Sequence, residues 1–481
     1  MGIRICWIAL CLMLAARGVS ATDGFFDSTW PGGGTFVFNG NYSVPTADSF
    51  VTSIRVESNG SLLLNGWGFS TGGADFWWLG ELLPNGQFVP TFGASDGTGR
   101  ATSCAIATCT SFTDFGRVAL PRPNGSYVVL TSIEVWQTTA QAHALDTAGV
   151  VGGKGYVGNV FTINDAQGAV TTGAGHAMAL QPADGKLLVA GNGTNTKVST
   201  DKRFGVVRLN TDLSLDSGFN AVTDNQNITF SGGAVVTVVA ADTNESVTEV
   251  LVQPDGRIVL VGWGTNAGAT VLEAVRLTSS GTPDPSFGSN GVAALTWPFG
   301  AITNVDAAVL DSAGRIVVAL DATGGEPAVK GFMVARLNSD GSPDLVFGTA
   351  AFAYDTIPEC TGMSASAIAV DTAGRIVVAG QCDAGSGGFA VERLRGDTGA
   401  IDNSFGASGF SRGYFSPATT DSNSASTIAF DHAGHLLVGG SGRSLTGDGT
   451  VVSGIARLTY DLIYTANFDA FPRGCLSPDC N

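Results

Sequence analysis

The sequence predicts an all-β chain, a β-propeller of about seven four-stranded blades built from repeats of roughly 60 residues. Three observations support this fold class: a recurring glycine turn, a strand-rich composition, and an N-terminal segment that matches the end of a repeat. The chain has 481 residues, of which 44% are hydrophobic, 14% are charged and 67 are glycine. This composition is typical of many short strands joined by tight turns.

A turn with a central glycine marks each repeat. The turn glycines lie 58 to 71 residues apart and are Gly60, Gly125, Gly185, Gly256, Gly314, Gly374 and Gly434. Asn-Gly or Asp-Gly between apolar segments predicts a hairpin whose glycine has a positive φ. The apolar run after the turn, such as 258–262, is continuous, which predicts a strand that is buried on both faces.

Each clear repeat continues with an Arg-Leu strand, an Asp-x-x-Phe turn and a weaker fourth strand. The arginine precedes the aspartate by eight or nine residues in Arg208/Asp216, Arg276/Asp284, Arg336/Asp344 and Arg393/Asp402. We interpret these as structural ion pairs that brace the turn, and the alternative is a ring of ligand-facing arginines. In the last repeat Thr465 stands where Arg457 would need its aspartate. The first repeat replaces both members, with Glu81 and Val89.

The N-terminal segment supports closure of a ring. Asp27, Trp30 and the glycines that follow resemble the Asp-x-x-Phe-Gly end of a repeat, and 35–38 is then a strand of the fourth type. Which strand closes the ring stays open. The repeats before residue 176 are weaker, and in the second one the turn at 124–129 is expected to lead to a strand at 162–164.

The first 21 residues are typical of a signal peptide. A positive start at Arg4 precedes an apolar run over 5–16, and small residues precede a predicted cleavage after Ala21. The mature protein is expected in the periplasm or outside the cell, with the propeller over 22–459 and a tail over 460–481. No later apolar run is long enough to cross a membrane. The net charge of −17 argues against nucleic-acid and anionic-membrane partners.

Six cysteines remain after the leader, and an even number in an exported chain predicts disulfides. Six cysteines allow 15 pairings. Proximity along the chain favours Cys104–Cys109, Cys360–Cys382 and Cys475–Cys480, the last as a small loop in the tail. The four histidines lie away from the cysteines, so the sequence predicts no metal site of the zinc type.

No motif of catalysis stands out, and the candidate site residues are few. Trp67, Trp77 and Trp78 are the candidates for ligand binding, because adjacent tryptophans on a strand point to opposite sides and one could stack on a sugar. The alternative is a bulky plug between blades. Calcium is the one cofactor considered, with oxygen ligands from Asp201, Asp212, Asp216 and Asp242, although ordinary turn chemistry also explains these aspartates.

The repeat pattern, from Asp-Gly-Arg-Ile-Val-Val through Ala-Arg-Leu-Asn to Asp-x-x-Phe-Gly, resembles the delta-60 repeat of bacterial secreted proteins. The resemblance is good over 177–459 and loose over 23–176. It implies a β-propeller and carries no activity or catalytic residues with it.

Two functions follow as hypotheses. The first is a non-enzymatic, monomeric binding or scaffold propeller for a polysaccharide, an envelope component or a protein, because near-identical blades make a rigid platform. The second is a secreted enzyme, a glycoside hydrolase or lyase that acts on polysaccharide. Its site would lie in the variable segments 136–156 and 220–248.

Overall fold

The structure is a computed structural model. It describes residues 24–38, 48–69, 75–93, 99–102, 114–133, 139–145, 151–156, 162–164, 170–172, 174–194, 202–219, 229–230, 233–236, 244–324, 332–354, 357, 360–383, 387–415, 423–443 and 451–460. Within these residues, no helix is long and apolar enough to cross a membrane.

Seven antiparallel four-stranded sheets form a seven-bladed β-propeller, so the predicted fold class is confirmed. Blades 1 to 4, each given from its innermost to its outermost strand, are as follows. Blade 1 contains Asp48–Val56, Leu62–Phe69, Asp75–Leu82 and Arg100–Thr102. Blade 2 contains Asp114–Pro121, Tyr127–Ile133, Thr139–Leu145 and Val151–Tyr156. Blade 3 contains Ala174–Leu180, Leu187–Thr194, Lys202–Leu209 and Gly233–Val236. Blade 4 contains Ser246–Val252, Ile258–Asn266, Ala269–Leu277 and Val292–Leu295.

The last three blades follow the same order. Blade 5 contains Gly300–Leu310, Ile316–Gly324, Met333–Leu337 and Phe352–Tyr354. Blade 6 contains Gly362–Val370, Ile376–Asp383, Gly388–Leu394 and Phe410–Gly413. Blade 7 contains Ser424–Phe430, Leu436–Arg443, Val451–Leu458 and the N-terminal strand Thr35–Phe38. Outside the blades lie a three-stranded sheet and a short 3-10 helix, formed by Thr162–Asn164, Val170–Thr172, Thr229–Phe230 and Pro31–Gly33.

The core is divided among the interfaces between blades. The buried apolar residues form seven clusters, and each cluster draws on two neighbouring blades. Between blades 4 and 5, for example, Val259 and Leu272 pack with Ile302 and Leu320. Burying one such side chain stabilises the fold by about 1.5–3 kcal/mol. Each sheet is therefore covered on both faces only because its neighbours are present, as the continuous apolar runs predict.

The turn glycines have the conformation that their sequence predicts. All seven have a positive φ, between 67° and 86°. An L-residue with a side chain rarely adopts this conformation, which explains why glycine persists while the preceding residue varies among Asn, Asp and Ala. These turns join the first and second strands of every blade. All seven turns lie on one face of the ring, which we call the turn face.

The Arg–Asp pairs form a repeated latch between blades. The arginine Nε donates to the aspartate at 2.7–2.9 Å in all four pairs found in the sequence. Each guanidinium also lies 4.1–4.9 Å from the centre of the phenylalanine ring in the same turn. Arg208 donates to the Ser279 carbonyl and Arg276 to the Ser339 carbonyl, each in the next blade. These arginines therefore serve the packing of the ring rather than a ligand.

A fifth latch closes the ring, and here one expectation was wrong. Arg457 does not lack an acidic partner, because the N-terminal segment supplies Asp27, 2.6 Å from its guanidinium. Trp30 takes the place of the phenylalanine, with its ring centre 5.1 Å from the Arg457 guanidinium. The strand Thr35–Phe38 pairs antiparallel with Val451–Leu458 and completes blade 7. The N-terminus therefore closes the ring, which the sequence alone left open.

Two boundaries differ from the expectations. The third strand of blade 2 is Thr139–Leu145, whereas Thr162–Asn164 belongs to the small sheet outside the blades. Blade 2 lacks the Arg-Leu signature, so the third strand carries no recognisable motif. Tyr460 belongs to the propeller rather than to the tail, since it is buried and its hydroxyl donates to Asp371 at 3.0 Å. The remainder of the tail, 461–481, lies outside the described residues.

Candidate functional site

The centre of the ring contains a cavity of about 630 Å³ that the innermost strands of all seven blades line. This volume falls within the range of about 300–1,000 Å³ that is usual for small-molecule sites. We call this cavity the central channel. The side chains that reach it depend on one irregularity, which all seven innermost strands share.

Each innermost strand contains a β-bulge at the same place. The pairing register with the second strand shifts by one residue there. A bulge leaves one residue without a partner in the ladder and redirects its side chain. The seven bulge residues are Thr52, Arg117, His176, Thr248, Asp306, Ser366 and Ser426, and all line the channel.

Hydroxyl groups at this position join one blade to the next. Thr52 Oγ1 donates to the Gly116 carbonyl at 2.9 Å, and Thr248 Oγ1 donates to the Val305 carbonyl at 2.7 Å. Ser426 Oγ donates in the same way to the carbonyl of Val51. In each case the acceptor directly precedes the bulge residue of the next blade. A hydroxyl bulge residue therefore has a structural role in the ring.

Three blades depart from this pattern, with Arg117, His176 and Asp306 at the bulge. The Oδ2 atom of Asp306 and the Nε2 atom of His176 are buried and have no hydrogen-bond partner among the described residues. A buried polar atom without a partner destabilises a fold by about 1–3 kcal/mol. Packing alone therefore does not account for the Asp306 and His176 side chains.

Two more ionisable residues face the channel at positions that the other blades fill differently. Arg55 stands where the remaining blades carry only aliphatic residues, which are Leu120, Ala179, Leu251, Val309, Ala369 and Ala429. Glu249 stands where they carry Ser53, Val118, Ala177, Ala307, Ala367 and Thr427. The seven blades serve as an internal comparison, and by that comparison Arg55 and Glu249 are specific to single blades.

The carboxyl groups in the channel hold their protons unusually well. Burial and the nearby Asp321 carboxylate raise the pKa of Asp306 to about 8, against the opposing hydrogen bond from Asn304. Burial also raises the pKa of Glu249 to about 7, against the opposing charge of Arg55. Arg55 of blade 1 and Glu249 of blade 4 both line the channel.

The imidazole of His176 has the opposite shift. Burial, with the positive charges of Arg117 and Lys202, lowers the pKa of His176 to about 4. Near neutral pH the His176 imidazole is therefore uncharged. Arg55 and Arg117 provide the positive charge of the channel. Blades 1 and 2 form a cationic wall, and blades 4 and 5 form a wall of carboxyl groups close to their pKa.

The tryptophans that the sequence singled out lie in blade 1, away from the innermost strand. Trp77 and Trp78 are 1% and 0% exposed, so neither ring has a free face on which a sugar could stack. They point to opposite faces of the sheet, and Trp77 packs towards blade 2 and Trp78 towards blade 7. Both faces are covered by neighbours, which fits the alternative of a plug between blades. Trp67 is half-buried and stacks on Phe50, with ring centres 4.4 Å apart.

Of the expected disulfides, Cys360–Cys382 is present in blade 6. Cys104, Cys109, Cys475 and Cys480 lie outside the described residues.

The aspartates considered for calcium are engaged in other contacts where the structure describes them. Asp212 accepts hydrogen bonds from the backbone and hydroxyl of Ser214, and Asp216 pairs with Lys186 and Arg208. Asp201 and Asp242 fall outside the described residues. In the described part of the chain, no three acidic, histidine or cysteine side chains form a metal-binding group.

The variable segments proposed for an enzyme site are largely blade structure where they are described. Residues 139–145 and 151–156 are the third and fourth strands of blade 2, and 233–236 is the outermost strand of blade 3. Segments 136–138, 146–150, 220–228, 231–232 and 237–243 lie outside the described residues.

Sequence reasoning missed the channel residues, although a signal exists. The bulge residue lies eight residues before the turn glycine in six blades and nine before it in blade 3, whose turn contains an extra residue. Comparing the repeats at that position isolates Arg117, His176 and Asp306 from the hydroxyl residues. The signal is weak without a structure, because nothing in the sequence shows that this position faces a cavity.

Several solved structures are similar to this chain at low sequence identity. Among solved structures, a protein of unknown function from Dyadobacter fermentans DSM 18053 has a TM-score of 0.43 at 10% identity, covering 72% of this chain and 95% of that one. The polysaccharide lyase Uly1 has a TM-score of 0.46 at 11% identity, covering 85% and 90%. The α-L-arabinofuranosidase Arb93A from Fusarium graminearum has a TM-score of 0.42 at 13% identity, covering 70% and 91%. These values are too low to transfer any activity.

No curated protein matches the sequence. Residues 183–219 and 253–287 match a family model described as "Domain of unknown function (DUF5122) beta-propeller". These two segments run from the turn glycines of blades 3 and 4 to the Asp-x-x-Phe turns. The match supports a β-propeller family of unknown function.

Proposed function

We propose that this chain is an exported, non-enzymatic binding propeller whose ligand site is the central channel. The observation that carries the proposal is the set of five ionisable side chains that line the channel at positions where other blades have aliphatic, small or hydroxyl residues. They are Arg55, Arg117, His176, Glu249 and Asp306. Blade-specific charge in a cavity, on an otherwise regular scaffold, is what a binding site requires.

The rigidity of the ring supports this proposal. The latches and the seven interface clusters fix each innermost strand between two neighbours. The backbone of such strands loses little entropy when a ligand binds, because the scaffold is already ordered. The ligand classes remain those of the sequence hypothesis: a polysaccharide, an envelope component or a protein segment that enters the channel.

Export fits the covalent structure. The Cys360–Cys382 disulfide is stable in oxidising compartments and is rare in the cytosol. Together with the predicted leader over 1–21, it supports a periplasmic or extracellular protein.

The proposal is tested by a thermal-shift screen of the protein from Thr22 onward against bacterial and plant polysaccharides, with calcium and chelator as further conditions. A ligand of the folded state raises the melting temperature as its concentration rises. We expect a dose-dependent shift with wild type that is lost in Arg55→Leu/Asp306→Ser. Both substitutions install residues found at the same positions in other blades.

Arg257→Leu is the matched control, because it removes an arginine of the turn face, where Arg257 pairs with Asp255 and Asp284. It should keep the ligand-induced shift. A shift of equal size in wild type and the channel variant would contradict the channel as the site. The enzyme hypothesis is tested in the same samples, since new reducing ends or unsaturated products would show turnover.

A further inference from the structure

The cationic wall of the channel contains an arginine that forms no salt bridge with another described residue. Arg55 is exposed and has no salt bridge within 4.0 Å among the described residues. The arginines of the latches, by contrast, all pair with an aspartate. A guanidinium with free donors suits a planar carboxylate, which it binds through two parallel hydrogen bonds.

The opposite wall offers groups that suit hydroxyls. Asp306 lines the cavity and has a buried carboxyl oxygen without a partner among the described residues, and Glu249 accepts a hydrogen bond from the Val250 amide at 3.3 Å. Carboxyl groups pair well with sugar hydroxyls, since each oxygen accepts and a protonated group also donates. A cavity of about 630 Å³ brings these two walls to one ligand.

The charge of the channel contrasts with that of the chain. The chain has a net charge of −17, and yet Arg55 and Arg117 stand on adjacent innermost strands and point into the same cavity. A cavity with positive charge at one wall and hydrogen-bonding carboxyl groups at the other selects a ligand that carries a negative charge next to several hydroxyls.

We infer that the central channel binds the uronic-acid unit of a glycan, with the carboxylate on Arg55 and the ring hydroxyls on Asp306 and Glu249. This inference rests on the proposed function, because it names the ligand class of the same site. A free acidic oligosaccharide and the end of an acidic polysaccharide share this chemistry.

The inference is tested by isothermal titration calorimetry with tetragalacturonic acid and with neutral galactotetraose. We expect wild type to bind the acidic tetrasaccharide at least tenfold more tightly than the neutral one. Arg55→Leu should remove this preference and weaken acidic binding tenfold or more, while Arg257→Leu should change it less than twofold. Blades 2 and 4 have leucine at the position of Arg55, so the Arg55→Leu substitution is compatible with the fold. A melting curve of each variant checks that it folds.

The outcomes separate the ligand class from the site. Equal binding of both tetrasaccharides, reduced by Asp306→Ser and unchanged by Arg55→Leu, would overturn the uronic-acid inference and leave the channel as the site. Binding that neither channel variant changes would overturn the proposed function as well. If tetragalacturonic acid, a glucuronic-acid tetrasaccharide and a longer pectic chain all fail to bind, the inference is overturned as well. A longer pectic chain that binds while the tetrasaccharide does not would identify a polysaccharide segment as the required form.

Discussion

The carboxyl group of Asp306 occupies a bulge position at which blades 1, 4, 6 and 7 use a hydroxyl residue. It has one oxygen without a partner among the described residues and a neighbouring carboxylate in Asp321. Such a residue costs stability wherever its ionised form is disfavoured. Asp306 therefore lowers the stability of the fold at a single position. Such a loss of stability is expected at functional sites, where a residue is retained for its chemistry.

Asp306→Ser should therefore stabilise the protein. The pKa of Asp306 is raised to about 8 from an ordinary value of 3.8, so the folded state holds its proton more tightly than the unfolded state. The cost of Asp306 is absent below about pH 4 and grows as the pH rises towards 8. We expect a gain of about 1–3 kcal/mol in the free energy of unfolding at pH 8.

Denaturant unfolding of wild type and Asp306→Ser at pH 4, 6 and 8 measures this gain. The two proteins should differ little at pH 4 and most at pH 8. Ser426→Ala is the matched control, since it removes a hydroxyl that binds the Val51 carbonyl and should destabilise at every pH. A variant Asp306→Ser that is less stable than wild type at pH 8 would show that the carboxylate is satisfied in the fold.

At the scale of elements, the N-terminal segment completes blade 7 through one latch and one strand. Asp27 is 5% exposed and lies against Arg457, so each charge is compensated by the other. Burial acts to raise the pKa of Asp27, but the hydrogen bonds from Thr29 and the Arg457 guanidinium together hold it below its usual value. The ring is closed by contacts that only the first and last parts of the chain can make.

Asp27→Ala should destabilise the protein by about 1.5–3 kcal/mol, because the largely buried Arg457 guanidinium loses its hydrogen-bonded carboxylate and keeps only Asp431, 3.8 Å away. The contribution of Asp27 is present above its ordinary pKa of 3.8 and is lost as the pH falls through its lower folded value. Denaturant unfolding at pH 7 measures the loss. Asp212→Ala is the control, since Asp212 is exposed and bonds only to Ser214 in its own turn among the contacts described, and it should have a clearly smaller effect.

If Asp27→Ala and Asp212→Ala have equal and small effects, the N-terminal latch does not hold the ring closed. The strand Thr35–Phe38 would then close it by backbone pairing alone.

The elements also show where sequence reasoning succeeds and fails. The turn glycines predict the first hairpin of every blade, because a positive φ leaves a direct mark on the sequence. The match between Asp27–Trp30 and the end of a repeat anticipates the closing strand. The third strand of blade 2, Thr139–Leu145, was missed because it carries neither Arg-Leu nor a recognisable turn after it. The role of Asp27 for Arg457 was missed because the two residues are far apart in sequence.

At the scale of the whole molecule, the repeat pattern determines the architecture of the ring. The residues that depart from the pattern determine the chemistry of the channel. Arg55, Glu249 and Asp306 come from three different blades and meet only when the ring closes. Sequence analysis therefore finds the scaffold readily, whereas the candidate site needs the geometry. The tryptophans of blade 1 illustrate the reverse case, since their prominence in the sequence reflects packing between blades.

The charge of the channel should depend on pH. Glu249 faces Arg55, Asp306 faces Asn304 and Asp321, and His176 faces Arg117 and Lys202. With a pKa of about 7 for Glu249 and about 8 for Asp306, both carboxyl groups become negative between pH 6 and 9, while His176, at about 4, stays neutral. The affinity for an acidic glycan should fall over this range, and that for a neutral glycan should change little.

Calorimetric titrations with tetragalacturonic acid at pH 6, 7.5 and 9 measure this dependence. Glu249→Ala/Asp306→Ser should flatten the profile, because the groups that titrate are gone. An affinity in wild type that rises with pH would contradict the assignment of charges in the channel.

The most direct test of the account is a crystal structure of the protein with tetragalacturonic acid bound. We predict electron density for the sugar within the central channel, with its carboxylate within hydrogen-bond distance of the Arg55 guanidinium and its hydroxyls near Asp306. Density for the sugar on the turn face or between blades, with an empty channel, would contradict the account.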